Sequence, residues 1–248
     1  MNYTTQTPIY KGNIWEYDMS SAGFTMAKKS GLLTDDEMSL LDSLPKQKRV
    51  VQLGLLMRDD TQLLDAVEKG IKDSIRGFCE VNDILRSDII SIKRDAVFST
   101  KKATELEIDG AIFREDNKYS SFYLFNRAEL FWSTWDRKGT WKGLGKDVVA
   151  MHEDHFLAFV GRIITSSETG DAKTVARKLN YFRNQYVTLK LEKECYIECN
   201  KDSMYRHHKT LHDANILTKA FPGIENVNPI FNYREFILPL FSVLWRQS

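Results

Sequence analysis

Apolar positions recur every three or four residues through Leu64, Val67, Ile71, Ile75, Phe78 and, after one gap, Leu85. That spacing predicts a long amphipathic helix with one stripe facing a core. Gly70 and Gly77 fall inside it at a cost of about 1 kcal/mol each relative to alanine, so close packing is expected at both. The same spacing at Met19, Ala22, Gly23 and Met26 predicts a helix from Met19 to Lys29, closed by Gly31 as its C-cap. Ile14-Trp15-Glu16-Tyr17 just before it reads as a short strand, which places Asp18 at a strand-to-helix junction. Thr34-Asp35-Asp36-Glu37 is a capping box opening a short helix through Leu44. Pro45 then breaks the chain ahead of a basic segment, Lys46, Lys48 and Arg49, that leads into Val50 to Met57.

Beyond the long helix the pattern turns to strands. Ile89 to Lys93 and Ala96 to Ser99 form a tight hairpin with only Arg94 and Asp95 between them, although Asp-Ala lacks the glycine such a turn prefers. Glu107 to Phe113 and Tyr119 to Phe125 suggest a second pair joined by a polar turn, Arg114 to Lys118. From Phe131 to Asp147 the texture changes: the segment holds Trp132, Trp135 and Trp141 with Gly139, Gly143 and Gly145, three lysines and an arginine, which reads as a long loop and a domain boundary. Val148 to Ile164 and Asp171 to Tyr186 are amphipathic helices, Val187 to Cys199 alternates as a strand, and the last forty or so residues mix helix with an apolar tail. The expected fold is α+β: an antiparallel sheet with packed helices over residues 1–130, then a helix-rich part over residues 148–248.

Composition narrows the function. The chain has 248 residues, 42% hydrophobic and 28% charged, which excludes disordered, collagen-like and coiled-coil classes. Basic and acidic residues nearly cancel, 35 against 34, for a net charge of +1. Any nucleic-acid binding must therefore come from local strips such as Lys46 to Arg49 and Lys93 to Lys102. Three cysteines imply no disulfide framework, and a reducing, cytoplasmic location is expected. Met1 to Lys11 is polar and does not read as a signal peptide. No apolar run approaches ~18 residues, so no membrane span is expected; Phe236 to Trp245 is short and contains Pro239. No Gly-rich phosphate loop, nucleophile elbow or kinase motif set is present, which argues against P-loop, serine-hydrolase and kinase chemistry.

The order of elements carries the chemistry: strand, Asp18, helix; then helices; then a hairpin holding Asp95. Nucleotidyl transfer through two Mg²⁺ ions needs two carboxylates from neighbouring strands converging within about 4 Å of a shared metal pair. Bare carboxylates that close repel by ~4 kcal/mol at an effective dielectric of 20, so a cation between them stabilises the ionised pair. Glu16-Tyr17-Asp18-Met19-Ser20-Ser21-Ala22-Gly23-Phe24-Thr25-Met26 resembles the first palm motif of family-B DNA polymerases, and is similar to the Asp-x-Ser opening of the family-A motif. Ile90 to Phe98 resembles the hairpin motif that holds the second aspartate in both families. Asn117-Lys118-Tyr119 is similar to the Lys-x-Tyr region that contacts primer–template in family B. The resemblance covers roughly residues 12 to 125.

It implies a palm-like nucleotidyltransferase in which Asp18 and Asp95 bind two Mg²⁺ and act as the catalytic acids. Lys46, Lys48 and Arg49 would take the incoming triphosphate, Gly23 would stand near the place of the ribose-gating tyrosine, and Lys118 and Tyr119 would touch primer–template. Lys101 and Lys102 could track a nucleic-acid backbone or form a wet surface. The part after Lys146 would be a thumb or a partner-binding module. Three departures stand out: glycine in place of the gate tyrosine, a fingers motif only hinted at by Lys46 to Gly54, and Lys93-Arg94-Asp95 where Asp-Thr-Asp is usual. The chain is too short for an added proofreading domain, and a protein partner supplying missing parts is expected.

Other readings stay open. The palm could be an inactive scaffold for nucleic acid or a replication or transcription partner, or a metal-dependent nuclease using the same acids. Trp132, Trp135 and Trp141 could stack bases or anchor a loop. Cys195 and Cys199 with His207, His208 and His212 could bind zinc, although the loop between them is short and two cysteines four apart on a strand share a face in any case. His152-Glu153-Asp154-His155 lacks the histidine spacing of a metalloprotease helix.

Overall fold

The structure, a computed structural model, describes residues 2–7, 9–125 and 128–143, with single residues between 174 and 190. The chain divides into two compact units, one of Met1–Gln6 with Gly12–Tyr119 and one of Thr7–Lys11 with Ser120–Ser248. The architecture is α+β.

The first unit runs β1 (Asn2–Thr4), the part of β2 (Ile9–Met19) from Gly12 on, α1 (Ala22–Ser30), α2 (Asp35–Ser43), α3 (Lys46–Asp59), α4 (Thr61–Val81), β3 (Ile89–Lys93), β4 (Ala96–Ser99), a short β5 (Glu107–Ile108) and the part of β6 (Ala111–Phe125) up to Tyr119. Its strands are ordered β1-β3-β4-β2-β6, with β5 paired to β6. β4 lies antiparallel between β3 and β2, with Ile92 opposite Val97 and Val97 opposite Tyr17.

The period of two along β2 sends Tyr17 and Met19 into the core shared with the helices, where Leu63, Val67, Ile75 and Phe78 of α4 are buried. The Tyr17 and Phe78 rings lie 5.2 Å apart and Phe78 stacks on Phe113 of β6 at 4.2 Å. The Ala103 amide donates to the Tyr17 hydroxyl at 2.7 Å, so the buried phenol keeps a polar partner. Gly70 lets α4 close on α1: a Cβ there would stand 2.8 Å from the Met26 sulfur. At Gly77 a Cβ would stand 3.1 Å from Ile108. Both helical glycines thus sit at close approaches, as their sequence positions suggest.

Helix ends follow local chemistry. Thr34 and Glu37 make the reciprocal capping box of α2, and Gly31 ends α1 at φ 66°. Asp60 caps α4 by accepting from the amides of Gln62 and Leu63. Asn82 ends it: the side-chain amide donates to the carbonyls of Phe78 and Glu105, and its oxygen accepts from the amides of Thr104 and Glu105. The helix therefore stops before Leu85, which is exposed and off the stripe. Leu63 rather than Leu64 is the fully buried residue of the first turn.

Two sequence expectations need correction. The polar run Arg114 to Lys118 is part of β6 and not a turn, because the acidic strand β2 beside it supplies partners for its side chains. The tryptophan- and glycine-rich segment is no loop where it is described. In the second unit the end of β6 pairs with β7 (Ala128–Ser133), and β7 pairs with β8 (Lys138–Lys142). Gly139 stands opposite Trp132 because a Cβ there would meet Leu130 at 2.7 Å and Trp132 at 3.2 Å. Glycine at this position marks a close approach and not a loop. Trp132 is buried, Trp141 half-buried and Trp135 exposed in the turn between the strands.

No helix among the described residues is long and apolar enough to cross a membrane. The expected helix Val148 to Ile164, His152 to His155, and the Cys195, Cys199, His207, His208 and His212 group lie outside the described residues. Of the expected strand Val187 to Cys199 only Thr188 and Lys190 are described, and neither is strand: Thr188 lies in a turn, and their amides donate back to the Asn184 and Gln185 carbonyls. Within Asp171 to Tyr186 the described residues, such as Arg177 and Asn184, are helical.

Candidate functional site

Side-chain alternation along β2 sends Glu16 and Asp18 to the face opposite Tyr17 and Met19. Asp18 stands beside Ala96 at the start of β4, and the Met19 amide donates to the Asp95 carbonyl at 3.1 Å. The hairpin turn is completed by Arg94 at φ 56°, the left-handed conformation that a glycine-free turn must place on some residue. The two aspartates, far apart in sequence, are thereby neighbours at one end of the sheet.

Both line a cleft of about 250 Å³. One wall is the β2–α1 junction, including Gly23 and Phe24; the other is α3, which contributes Lys46, Arg49, Val50, Leu53 and Met57. Those positions follow helical spacing and so share one face of α3. Lys48 is on another face, beside a separate depression with Gln47 and Val51, and does not reach the aspartates' cleft. Gly23 faces α3, where an added Cβ would only touch the Leu53 side chain at 3.4 Å, an ordinary contact.

Arg49 is held in place rather than loose. Its Nε and Nη2 donate to the carbonyls of Leu41 and Leu44 at the end of α2, at 3.0 and 3.1 Å, and the guanidinium lies over the Phe24 ring at 4.6 Å. Lys46 is exposed on the first turn of α3. The cleft thus has two acids at one end and two cations on its α3 wall.

Burial first, then the charges of Asp95 and Asp116, pushes the Asp18 carboxyl above the ordinary carboxylate value, while Arg114 opposes the shift. Arg114 Nη2 lies 3.2 Å from Asp18 Oδ2 and 3.8 Å from Asp116 Oδ1. Glu16, buried on the same strand face, accepts from Asn117 Nδ2 at 2.8 Å and from the Tyr119 hydroxyl at 2.7 Å. Side chains of both parities on β6 therefore reach the β2 acids, so its alternation slips within the polar run.

The remaining candidates stand apart from the cleft. Tyr119 is buried and donates to Glu16, so its hydroxyl supports that carboxylate and is not offered to a nucleic-acid backbone. Lys118 lies over the Trp15 ring at 5.4 Å. Lys101 donates to the Asp83 carbonyl and Lys102 pairs with Glu115 at 3.8 Å. Glu16, Arg114 and Asp116 were not anticipated from sequence. The signal that could have found them is the density of alternating charge in the run Arg114 to Lys118, which fits a strand facing an acidic neighbour as well as it fits a turn.

The donor set suits a cation shared with a ligand. No group of three or more His, Cys, Asp or Glu side chains among the described residues is arranged to hold a metal by itself. Mg²⁺ is commonly held by one or two carboxylates together with substrate phosphates and water, and two mutually repelling, partly exposed aspartates beside two cations match that pattern. No curated protein matches the chain. Residues 1–241 match the family described as Bacteriophage PBS1 gene 130 protein, and the chain belongs to that family.

Proposed function

We propose that the protein is a palm-type nucleotidyltransferase acting on a nucleic-acid primer–template, with Asp18 and Asp95 as its catalytic acids and Mg²⁺ ligands. The observation that carries this reading is the meeting of Asp18 and Asp95 at one end of a cleft whose other wall presents Lys46 and Arg49. Mg²⁺ bound by the two carboxylates would supply charge neutralisation at the transferred phosphoryl group and favour deprotonation of the attacking hydroxyl. Arg49, pre-positioned by α2 and Phe24, offers its remaining N–H donors to a phosphate at little ordering cost. Lys46, exposed on the cleft lining, adds a second positive charge. Phe24 and Leu53 form an apolar wall against which a base or sugar can rest.

Primer extension with Mg²⁺ tests it. Wild-type protein extends a labelled primer, and Asp18→Ala or Asp95→Ala lowers the rate at least about 100-fold while the fold is kept. Lys46→Gln raises the nucleotide KM, and Lys48→Gln, on another face of α3, does not. Equal extension by wild type and the double aspartate variant would refute the assignment.

A second reading has its own support. The Arg114 guanidinium already neutralises Asp18, as it would in a palm kept as a nucleic-acid or protein-binding scaffold. That reading requires nucleic-acid binding without extension, unchanged by the aspartate substitutions. Degradation of nucleic acid without added nucleotide would instead point to a nuclease.

A further inference from the structure

We infer that Arg114 is the resident counter-ion of this acidic site and a positioning residue that a divalent cation must displace from Asp18, with Asp116 as the place it moves to. The inference rests on the metal-binding reading above and adds a regulator of it. Arg114 contacts Asp18 at 3.2 Å and is already 3.8 Å from Asp116, two residues along the same strand. Asp18 is the more sheltered carboxylate, its side chain 30% exposed against 40% for Asp116, and Arg114 itself is half exposed. A guanidinium with one foot on each acid needs only a side-chain rotation to leave Asp18, and the second acid keeps it from being stranded.

The physical logic is competition for one carboxylate. Asp18 is crowded by the charges of Asp95 and Asp116, so in the metal-free protein a cation beside it is favoured. Arg114 fills that role from β6. A divalent ion carries twice the charge of the guanidinium and so competes with it for Asp18 by itself, and a phosphate ligand that completes its coordination favours it further. A half-exposed ion pair is weak, so the exchange is cheap in both directions. Metal and nucleotide would then be taken up together, and the acids would stay paired in their absence.

Direct binding of Mn²⁺ to the full chain, followed by electron paramagnetic resonance of the free ion, tests this without any turnover. Arg114→Gln should tighten Mn²⁺ binding by about fivefold or more, and Lys102→Gln, removing a nearby charge that pairs with Glu115, should change it far less. Asp116→Asn should weaken Mn²⁺ binding more in the presence of Arg114 than in the Arg114→Gln background, because only then does the arginine lose its second seat. Circular dichroism melts confirm that each variant is folded. Unchanged or weaker Mn²⁺ binding in Arg114→Gln, with binding still lost in Asp18→Asn, would overturn the inference and leave the metal reading intact. Absence of Mn²⁺ binding in both wild type and Arg114→Gln would overturn both.

Discussion

Tyr17 and Asp18 are adjacent in the chain yet belong to opposite physical regimes. Tyr17 is fully buried against Phe78 and Phe113, in a layer where every side chain adds burial and dispersion. Asp18 faces the other way, into a cluster where Asp95 and Asp116 work against its charge and a half-exposed Arg114 offsets part of the cost. The first region holds the fold together. The second is held by the fold in an arrangement that carries an electrostatic cost.

Three measurements would break or sharpen that contrast. The largest effect is expected in the apolar layer: Phe78→Ala removes the ring packed against both Tyr17 and Phe113 and should cost about 3–5 kcal/mol in chemical denaturation. A cost near zero would mean that the layer is not the core. Next come two helical glycines in different surroundings. Gly70→Val drives a branched side chain into Met26 and should destabilise by about 1–3 kcal/mol, whereas Gly54→Ala, with nothing within 4 Å, should stabilise by up to about 1 kcal/mol. Thermal melts of the two variants should move in opposite directions.

The smallest effect on stability is expected at Asp18. Its folded-state pKa is raised above 3.8, so the folded protein binds its proton more tightly than the unfolded chain does. Stability from this group therefore falls as pH rises from the ordinary carboxylate value through the raised one, and the charged form is a liability above it. Asp18→Asn removes that fall and also the Arg114 pair, so at neutral pH its stability should lie within about 1 kcal/mol of wild type. The advantage of the variant over wild type should grow from pH 4 to pH 7. A strongly destabilised Asp18→Asn would place Asp18 with the structural residues and not with the site.

Much of this was readable in advance, residue by residue. The capping box at Thr34, the C-cap at Gly31, the α4 stripe and the β3–β4 hairpin rest on short-range rules, and each is present. Asp18 and Asp95, picked out by the order of elements, and Gly23, Lys46 and Arg49, picked out by the polymerase resemblance, line one cleft. What failed depends on neighbours distant in sequence. The Arg114 to Lys118 run has turn-like composition and becomes strand because β2 lies beside it. Gly139 has the look of a loop residue and is a packing residue because Leu130 and Trp132 cross over it. Lys48 and Arg49 are adjacent, and only the rotation of α3 decides which of them reaches the cleft.

The sequence by itself determined the cap that opens α2 and the one that closes α1, which faces are apolar, and which acids fall at the end of a strand and in a hairpin turn, because caps, periodicity and turn length act over a few residues. It did not place the start of α1, since Met19, expected in the helix, ends β2. The tertiary structure alone decided that Asp18 and Asp95 are neighbours, that Tyr119 turns inward to Glu16, and that Arg114 sits on Asp18. Each of those depends on strand order and register, and a single step of register moves a side chain to the opposite face of the sheet.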